Sequence, residues 1–216
     1  MSLDYGFAIE RVHQRLREED ILFLVDQGPA PCEEQELLQG IPRALANFYR
    51  QCGQGLDLAW FVDGHPSMAN KHPTLDKQVF GALAIPPPRH LLVEDKRHLD
   101  ENVLEYFREE GPREEFERLS LMLRNIHWVD AIGNGDWLCL DLGRPEVPVV
   151  LYAYEQLALV PIAPSFEEYF LRCAEHCFTH ADFSESYLVK GGAEAVWSSE
   201  ENFPPLLRIE RAELIR

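Results

Sequence analysis

The run WLCLDL, Trp137 to Leu142, constrains the fold of this chain most because it carries apolar side chains at both odd and even positions. In a β-strand successive side chains point to opposite faces, so the three leucines would lie on one face and Trp137 and Cys139 on the other. A strand that is apolar on both faces needs cover on both. We therefore expect a sheet with helices packed, at least in part, on either side.

A Gly-Asn-Gly sequence at 133–135 precedes this run and has two possible meanings. A dinucleotide-binding loop needs a strand before it, a helix after it and a third glycine. Here the third glycine is missing, and the residues after Gly135 alternate as a strand. Asn134 and Gly135 instead suit the two positive-φ positions of a type I′ turn. The sequence therefore predicts a β-hairpin, followed by a further strand from Val147 to Tyr154.

The composition is typical of a globular protein with a strongly acidic surface. The 216 residues are 46% hydrophobic, enough to bury a core in one domain, or in one domain with an extension. The formal net charge of −17 opposes binding to nucleic acid and would speed the encounter with a basic protein, although acidity also serves solubility. No apolar run could cross a bilayer, and the N-terminal residues lack the order of a signal peptide. We expect a cytoplasmic protein that binds neither nucleic acid nor membrane.

Four candidate metal ligands, Cys173, His176, Cys177 and His180, recur at helical spacing. Residues seven apart on a helix are about 10.5 Å apart along its axis, whereas zinc ligand atoms lie about 2.0–2.3 Å from the ion. One helix can thus supply two ligands but hardly four. The two cysteines also continue an apolar stripe, so we expect buried free thiols here and at the other three cysteines. No metal and no cofactor is predicted.

The other elements follow from apolar periodicity and from turn residues. Helices are predicted over Asp4–Glu19, Glu33–Gln39, Pro42 to a cap at Gly53, two amphipathic segments split at Gly111-Pro112, and a segment that starts at Ser165 with a capping box to Glu168. Strands are predicted at Leu56–Val62 and Val79–Ile85, joined by a long exposed loop. Residues 1–180 would form a single domain, and 181–216 an extension packed on it through Trp197 and Phe203.

No local pattern predicts a catalytic nucleophile, since the chain has neither a GxSxG elbow nor a cysteine-protease signature. Asp130, Asp136 and Asp141 cluster near the predicted hairpin and could act as a carboxylate pair in hydrolysis. Such clusters arise by chance in a chain this acidic. A carboxylate-based hydrolase is therefore an alternative to a binding function, and the binding function is favoured.

Four segments occur in an order that is typical of one family. They are IPRALANFYRQCGQGL at 41–56, VFGALAI at 79–85, NGDWLCLDLGRPEVPVVLYAYE at 134–155 and IAPSFEEYFLRC at 162–173. Between about residues 33 and 177 the chain resembles the SUKH superfamily, the Smi- and Knr-type domains. Its members show a Leu-Pro helix ending in a glycine pair, an Asn/Asp-Gly turn before a leucine-rich strand pair, and a closing Ser-Phe-Glu-Glu helix. Here Ile41-Pro42 replaces Leu-Pro, and Gln54 splits the glycine pair.

This resemblance implies an α+β domain, with a mixed, mostly antiparallel sheet flanked by helices and without known catalytic residues. It also implies protein binding, because many bacterial members look like immunity proteins that neutralise a partner toxin, often a nuclease. Eukaryotic members are linked to cell-wall assembly. The leading hypothesis is a non-enzymatic immunity-type protein with a basic protein partner. The alternative is an intracellular scaffold or regulator of the Smi/Knr type, which could act as a homodimer.

The predicted contact residues are Asp63, His65, Asp130, Asp136 and Trp137. They fall in predicted loops or turns and carry charge, imidazole or aromatic surface, the chemistry of interface contacts. Each could instead serve the fold, Trp137 by packing inside and the aspartates by solvating turns.

Overall fold

The computed structural model of this chain describes residues 3–21, 23–33, 35–62, 79–94, 96–97, 100–131, 136–179, 187–190, 194–197, 203 and 205–216. The α-helices of these residues are α1 (Tyr5–Glu18), α2 (Arg43–Gln51), α3 (Glu105–Glu109), α4 (Arg113–Met122), α5 (Phe166–Glu175) and α6 (Arg211–Leu214). Short 3₁₀ turns lie at Gln35–Leu38 and Pro205–Leu207, and π-helical segments at His90–Glu94 and Asp100–Leu104. The strands are β1 (Phe23–Gln27), β2 (Leu56–Val62), β3 (Val79–Ile85), β4 (Ile126–Ala131), β5 (Trp137–Asp141), β6 (Val149–Ala153), β7 (Ala158–Ala163), β8 (Tyr187–Lys190) and β9 (Glu194–Trp197).

The described strands divide into a three-stranded sheet in the order β1-β2-β3, a four-stranded sheet in the order β4-β5-β6-β7, and the β8-β9 pair. Each of these strand pairings is antiparallel. The predicted α+β class is confirmed, with two main antiparallel sheets where one mixed, mostly antiparallel sheet was expected. β3 pairs with β2 on one side, and on its other side Gly81 forms an isolated bridge with Thr179.

Apolar cores lie on both faces of the four-stranded sheet, as the alternation in β5 predicts. Leu138 and Leu140 belong to the main core, which also contains side chains of α1, α2 and α5. Cys139 and Tyr152 belong to a second core with Leu119 of α4. The three-stranded sheet differs, because its inner face enters the main core while Phe61 on its other face is exposed.

Glycines near the end of α2 play a different role from the predicted cap. Cys52 terminates this helix, and the positive φ of +80° lies at Gly55, not at Gly53. A β-carbon on Gly53 would overlap the backbone of Cys32. The prediction of Gly53 as the cap was therefore wrong, and the glycine is required by close approach of two chain segments.

At the start of α5, the predicted cap at Ser165 is confirmed. Its hydroxyl accepts a hydrogen bond from the Glu168 amide at 3.0 Å. The Glu168 carboxylate in turn accepts two hydrogen bonds from the Arg211 guanidinium, at 2.8 and 2.9 Å. Ser165 thus caps the start of the helix, and Glu168 binds the C-terminal segment through Arg211.

The C-terminal residues complete the main core. Leu207, Ile209 and Leu214 are buried there, and the Ile209 amide donates to the Glu175 carbonyl at 2.8 Å. Phe203 is buried against the His176 ring at a centroid distance of 4.1 Å, whereas the Trp197 side chain is outside the described residues. The boundary at residue 180 stays a prediction. Among the described residues, no helix has both the length and the apolar character needed to cross a bilayer.

Candidate functional site

Two of the five predicted contact residues fall beyond the part of the chain that the structure describes, namely Asp63 and His65. The other three lie together at one end of the four-stranded sheet. Asp130 and Trp137 are on neighbouring strands, with Asp130 opposite Leu138 and Trp137 opposite Ala131. The Asn134-Gly135 turn is also outside the described residues, but the strands on either side of it pair antiparallel, as the hairpin prediction requires.

An aromatic row crosses this end of the sheet. Trp137 lies directly opposite Tyr152 in the β5–β6 register, and their rings stack with centroids 5.5 Å apart. Trp128 on β4 extends the row, at 5.9 Å from Trp137. Stacked aromatic pairs of this kind each add about 0.5–1.5 kcal/mol beyond the area they bury. Trp137 is consequently fixed in place, with part of its ring still accessible.

Asp136 fixes the neighbouring turn. Its Oδ1 accepts a hydrogen bond from the Tyr154 amide at 2.9 Å, across the β5–β6 pair. Tyr154 itself is 53% exposed, and Glu155 beside it is also exposed. We call Asp136, Trp137, Tyr154 and Glu155 the acidic-aromatic patch. Asp130 lies outside it, because it is opposite Leu138, whose side chain points to the main core on the other face of the sheet from Trp137.

Arg118 of α4 stabilises the turn between β6 and β7 through a hydrogen bond. The Arg118 guanidinium donates to the Leu157 carbonyl at 3.1 Å and also pairs with Glu115. The hydrogen bond from Arg118 lowers the pKa of the Glu115 carboxyl. The turn that carries Tyr154 is therefore tied to the sheet by Asp136 and to α4 by Arg118.

Burial controls the ionisation of several groups in the two cores. It raises the pKa of Tyr152 to about 12, so the phenol stays neutral at physiological pH. It also raises the pKa of Cys52 and of Cys177 to about 12, and that of Cys139 in the same direction. Because the thiolate is the reactive form of cysteine, these protonated thiols are poor nucleophiles.

The residues of the suspected zinc set serve the core. Cys173 and Cys177 are buried in the main core, and the Cys177 thiol donates to the Leu207 carbonyl at 3.1 Å. The ring of His176 stacks on Phe203. His180 is outside the described residues, which contain no group of three or more histidine, cysteine or acidic side chains placed to hold a metal ion.

Sequence reasoning found half of the acidic-aromatic patch and missed the other half. Tyr154 was assigned to the end of a strand and Glu155 was given no role, yet both lie in the turn between β6 and β7. The available signal was the run of bulky residues that ends at Tyr154, followed by the polar pair Glu155-Gln156. Which aromatic stacks on which depends on strand register, and this register includes a bulge between Trp128 and Asp130.

No family model, no curated protein and no solved structure matches this chain. The likeness to SUKH domains therefore stays a prediction from the sequence segments.

Proposed function

We propose that this chain is a non-enzymatic, cytoplasmic protein-binding domain of the immunity type, whose acidic-aromatic patch binds a basic protein such as a toxin nuclease. The observation that carries the proposal is the hydrogen bond from the Tyr154 amide to Asp136. It holds an exposed tyrosine beside acidic side chains before any partner arrives.

Preorganisation matters because ordering a flexible side chain at an interface costs about 0.5–1.5 kcal/mol. Tyrosine and tryptophan are enriched among the residues that contribute most to protein–protein binding. In this patch Trp137 is fixed by stacking. The Tyr154 backbone is held on both sides, because its amide donates to Asp136 and its carbonyl accepts a hydrogen bond from the Leu157 amide. The patch therefore has the aromatic centre and charged surroundings of a binding surface.

Charge supports a basic partner. The whole chain carries a net charge of −17, and the patch itself contributes Asp136 and Glu155. Complementary charge raises the association rate of two proteins, and this effect weakens as salt screens it. We therefore expect the association rate constant to fall more than the lifetime of the complex as the salt concentration rises.

The test begins with the tagged chain as bait in the cells that express it, followed by purification of the captured protein and calorimetry with bait variants. We expect Tyr154→Ala to weaken binding by at least about tenfold, the range of interface residues that contribute strongly. Tyr106→Ala is the matched control, because Tyr106 on α3 is 60% exposed and lies outside the patch. Glu155→Lys should weaken binding likewise, whereas Glu36→Lys, the same charge change in the 3₁₀ turn, should not.

The outcomes separate the candidate functions. A captured basic enzyme that loses its activity in the complex supports the immunity role. A captured protein whose own activity is unchanged would point to a scaffold or regulator. If Tyr154→Ala and Tyr106→Ala weakened binding equally, the acidic-aromatic patch would not be the binding surface.

A further inference from the structure

β1 is an open edge of the three-stranded sheet. The sheet order places it beside β2 alone in the described part of the chain. The opposite edge is treated differently, because the Ala82 amide of β3 donates to the Phe178 carbonyl at 3.1 Å and Gly81 bridges to Thr179. One edge is thus closed by the chain itself, and the other offers main-chain donors and acceptors.

The exposed side chains in the first part of this edge are apolar, and Asp26 and Gln27 follow them. Leu24 is 72% exposed and Val25 is 41% exposed, and Phe61 on the adjacent β2 is 40% exposed. Natural edge strands are usually protected by lysine, proline, a cover or extreme shortness, because an apolar edge recruits further strands. β1 does contain an irregularity between Phe23 and Val25, yet beyond it the register with β2 runs regularly to Gln27. The edge is therefore suited to receive another strand.

A depression of about 330 Å³ lies directly behind β1, between it and α1. Its lining consists of His13, Arg17, Ile21, Phe23 and Asp26. Phe23 packs on the His13 ring at a centroid distance of 4.6 Å, and the His13 Nε2 lies 3.5 Å from the Asp26 Oδ1. Arg17 is paired with Glu10 at 2.6 Å. The depression thus combines an apolar wall with the half-exposed carboxylate of Asp26.

We propose that β1 binds an extended segment of another protein, in which lysine or arginine alternates with apolar residues, as an added strand. In such a strand successive side chains point to opposite faces. Apolar side chains would cover Leu24 and Val25 on the outer face. A basic side chain on the inner face would enter the depression, with its aliphatic stem against Phe23 and its charge near Asp26.

Charge selects this occupant over a second copy of the chain. Pairing of two β1 strands would bring together two molecules of net charge −17, whereas a basic segment is attracted by the same field. Asp57, which lies opposite Gln27 and is exposed, adds a further carboxylate next to the edge. The surface is separate from the acidic-aromatic patch, so this inference does not rest on the proposed function.

The probe is a capped seven-residue peptide of alternating lysine and valine, titrated into the full chain with calorimetry and amide chemical shifts as readouts. We expect saturable binding with shifts centred on the amides of 23–27. Leu24→Lys should weaken the affinity by at least about tenfold through repulsion at the edge. Leu121→Lys is the matched control, since Leu121 on α4 is 67% exposed and should leave the affinity unchanged. Tyr154→Ala should also leave it unchanged, which separates this surface from the patch.

Two peptide controls test the mode of binding. Methylation of the peptide amides removes its main-chain donors and should abolish binding, and alternating glutamate and valine should not bind. Binding of the methylated peptide with the affinity of the parent, or no binding of the parent at millimolar concentration, would overturn the proposal. So would a dimer in sedimentation that Leu24→Lys dissociates, because a second copy would then be the occupant.

Discussion

Gly81 and Trp60 share one small volume of the core. They lie directly opposite each other in the β2–β3 register, and a β-carbon on residue 81 would overlap the indole ring. The Trp60 indole N–H donates to the Cys177 carbonyl at 2.8 Å, in a buried position. The absence of a side chain at residue 81 therefore lets one tryptophan join the three-stranded sheet to the end of α5.

Replacement of Gly81 by alanine should test this packing. We expect Gly81→Ala to lower the free energy of unfolding by about 1–3 kcal/mol, the usual range when a methyl group is forced into a filled core. Urea unfolding followed by tryptophan fluorescence measures the change. Gly28→Ala is the control, because the nearest atom to its β-carbon would be 3.6 Å away, an ordinary contact. Equal stability of Gly81→Ala and the parent would show that Trp60 can move aside.

Single residues also show where prediction from sequence ends. Trp137 was predicted as a contact residue with packing as the alternative, and the structure shows a partly buried ring that stacks on Tyr152. Asp136 was chosen for its charge and turn position, and in the structure its carboxylate accepts a hydrogen bond from the Tyr154 amide. Local sequence gives the residue type, but the partner is set by pairing across strands, which is a long-range property.

At the scale of elements, α5 joins the start and the end of the described chain. Its apolar face contains Phe166 and Phe170, which pack against Tyr5 of α1 at centroid distances of 5.9 and 4.9 Å. Its polar side carries Glu168 and Glu175, which both bind Arg211 of α6. The hydrogen bonds from Arg211 to Glu175 and then to Glu168 raise the pKa of the guanidinium.

Removal of this clamp should loosen the C-terminal segment without unfolding the chain. We expect Arg211→Ala to lower stability by about 0.5–1 kcal/mol, a modest effect because the side chain is partly solvated. Hydrogen exchange should show faster opening of the Ile209 amide, which donates to α5. Arg113→Ala is the control, since Arg113 pairs with Glu117 on the surface of α4. An unchanged exchange rate of the Ile209 amide would mean that burial of Leu207 and Leu214 is sufficient to hold the C-terminal segment without Arg211.

Elements with a clear period were predictable, and those with a short or broken pattern were not. The strands Leu56–Val62 and Val79–Ile85 have the predicted bounds, and the split at Gly111-Pro112 separates α3 from α4 as expected. β7 was not predicted, because it contains Pro161, which lacks the amide that a central strand needs. β7 is the last strand in its sheet, where a missing donor is tolerated. Sheet order is not readable from local pattern, so this tolerance could not be foreseen.

At the scale of the whole molecule, ionisable groups buried in the cores make stability depend on pH. The folded state holds Cys52 and Cys177 as neutral thiols, with pKa values raised to about 12. In the unfolded chain a thiol ionises near a pKa of about 8.5. The stabilisation is therefore complete below about pH 8 and is lost as the pH rises from about 8.5 toward 12.

This linkage can be measured by urea unfolding between pH 7 and pH 10. We expect a constant free energy of unfolding up to about pH 8, then a decline that approaches about 1.4 kcal/mol per pH unit for each buried thiol. Cys52→Ala removes one thiol, so its decline should be shallower than that of the parent, whatever its stability at pH 7. Parallel declines for the two proteins would show that other groups control the alkaline limit.

The meeting of α1 and α6 bears on how the chain is made. Arg11 and Glu213 pair at 2.6 Å, and Val12 and Leu214 are buried in the same core, although some two hundred residues separate them along the chain. During translation α1 emerges from the ribosome some two hundred residues before α6. Until residue 214 is free, the nascent chain exposes the apolar surface that α6 later covers, and such surface is what chaperones bind.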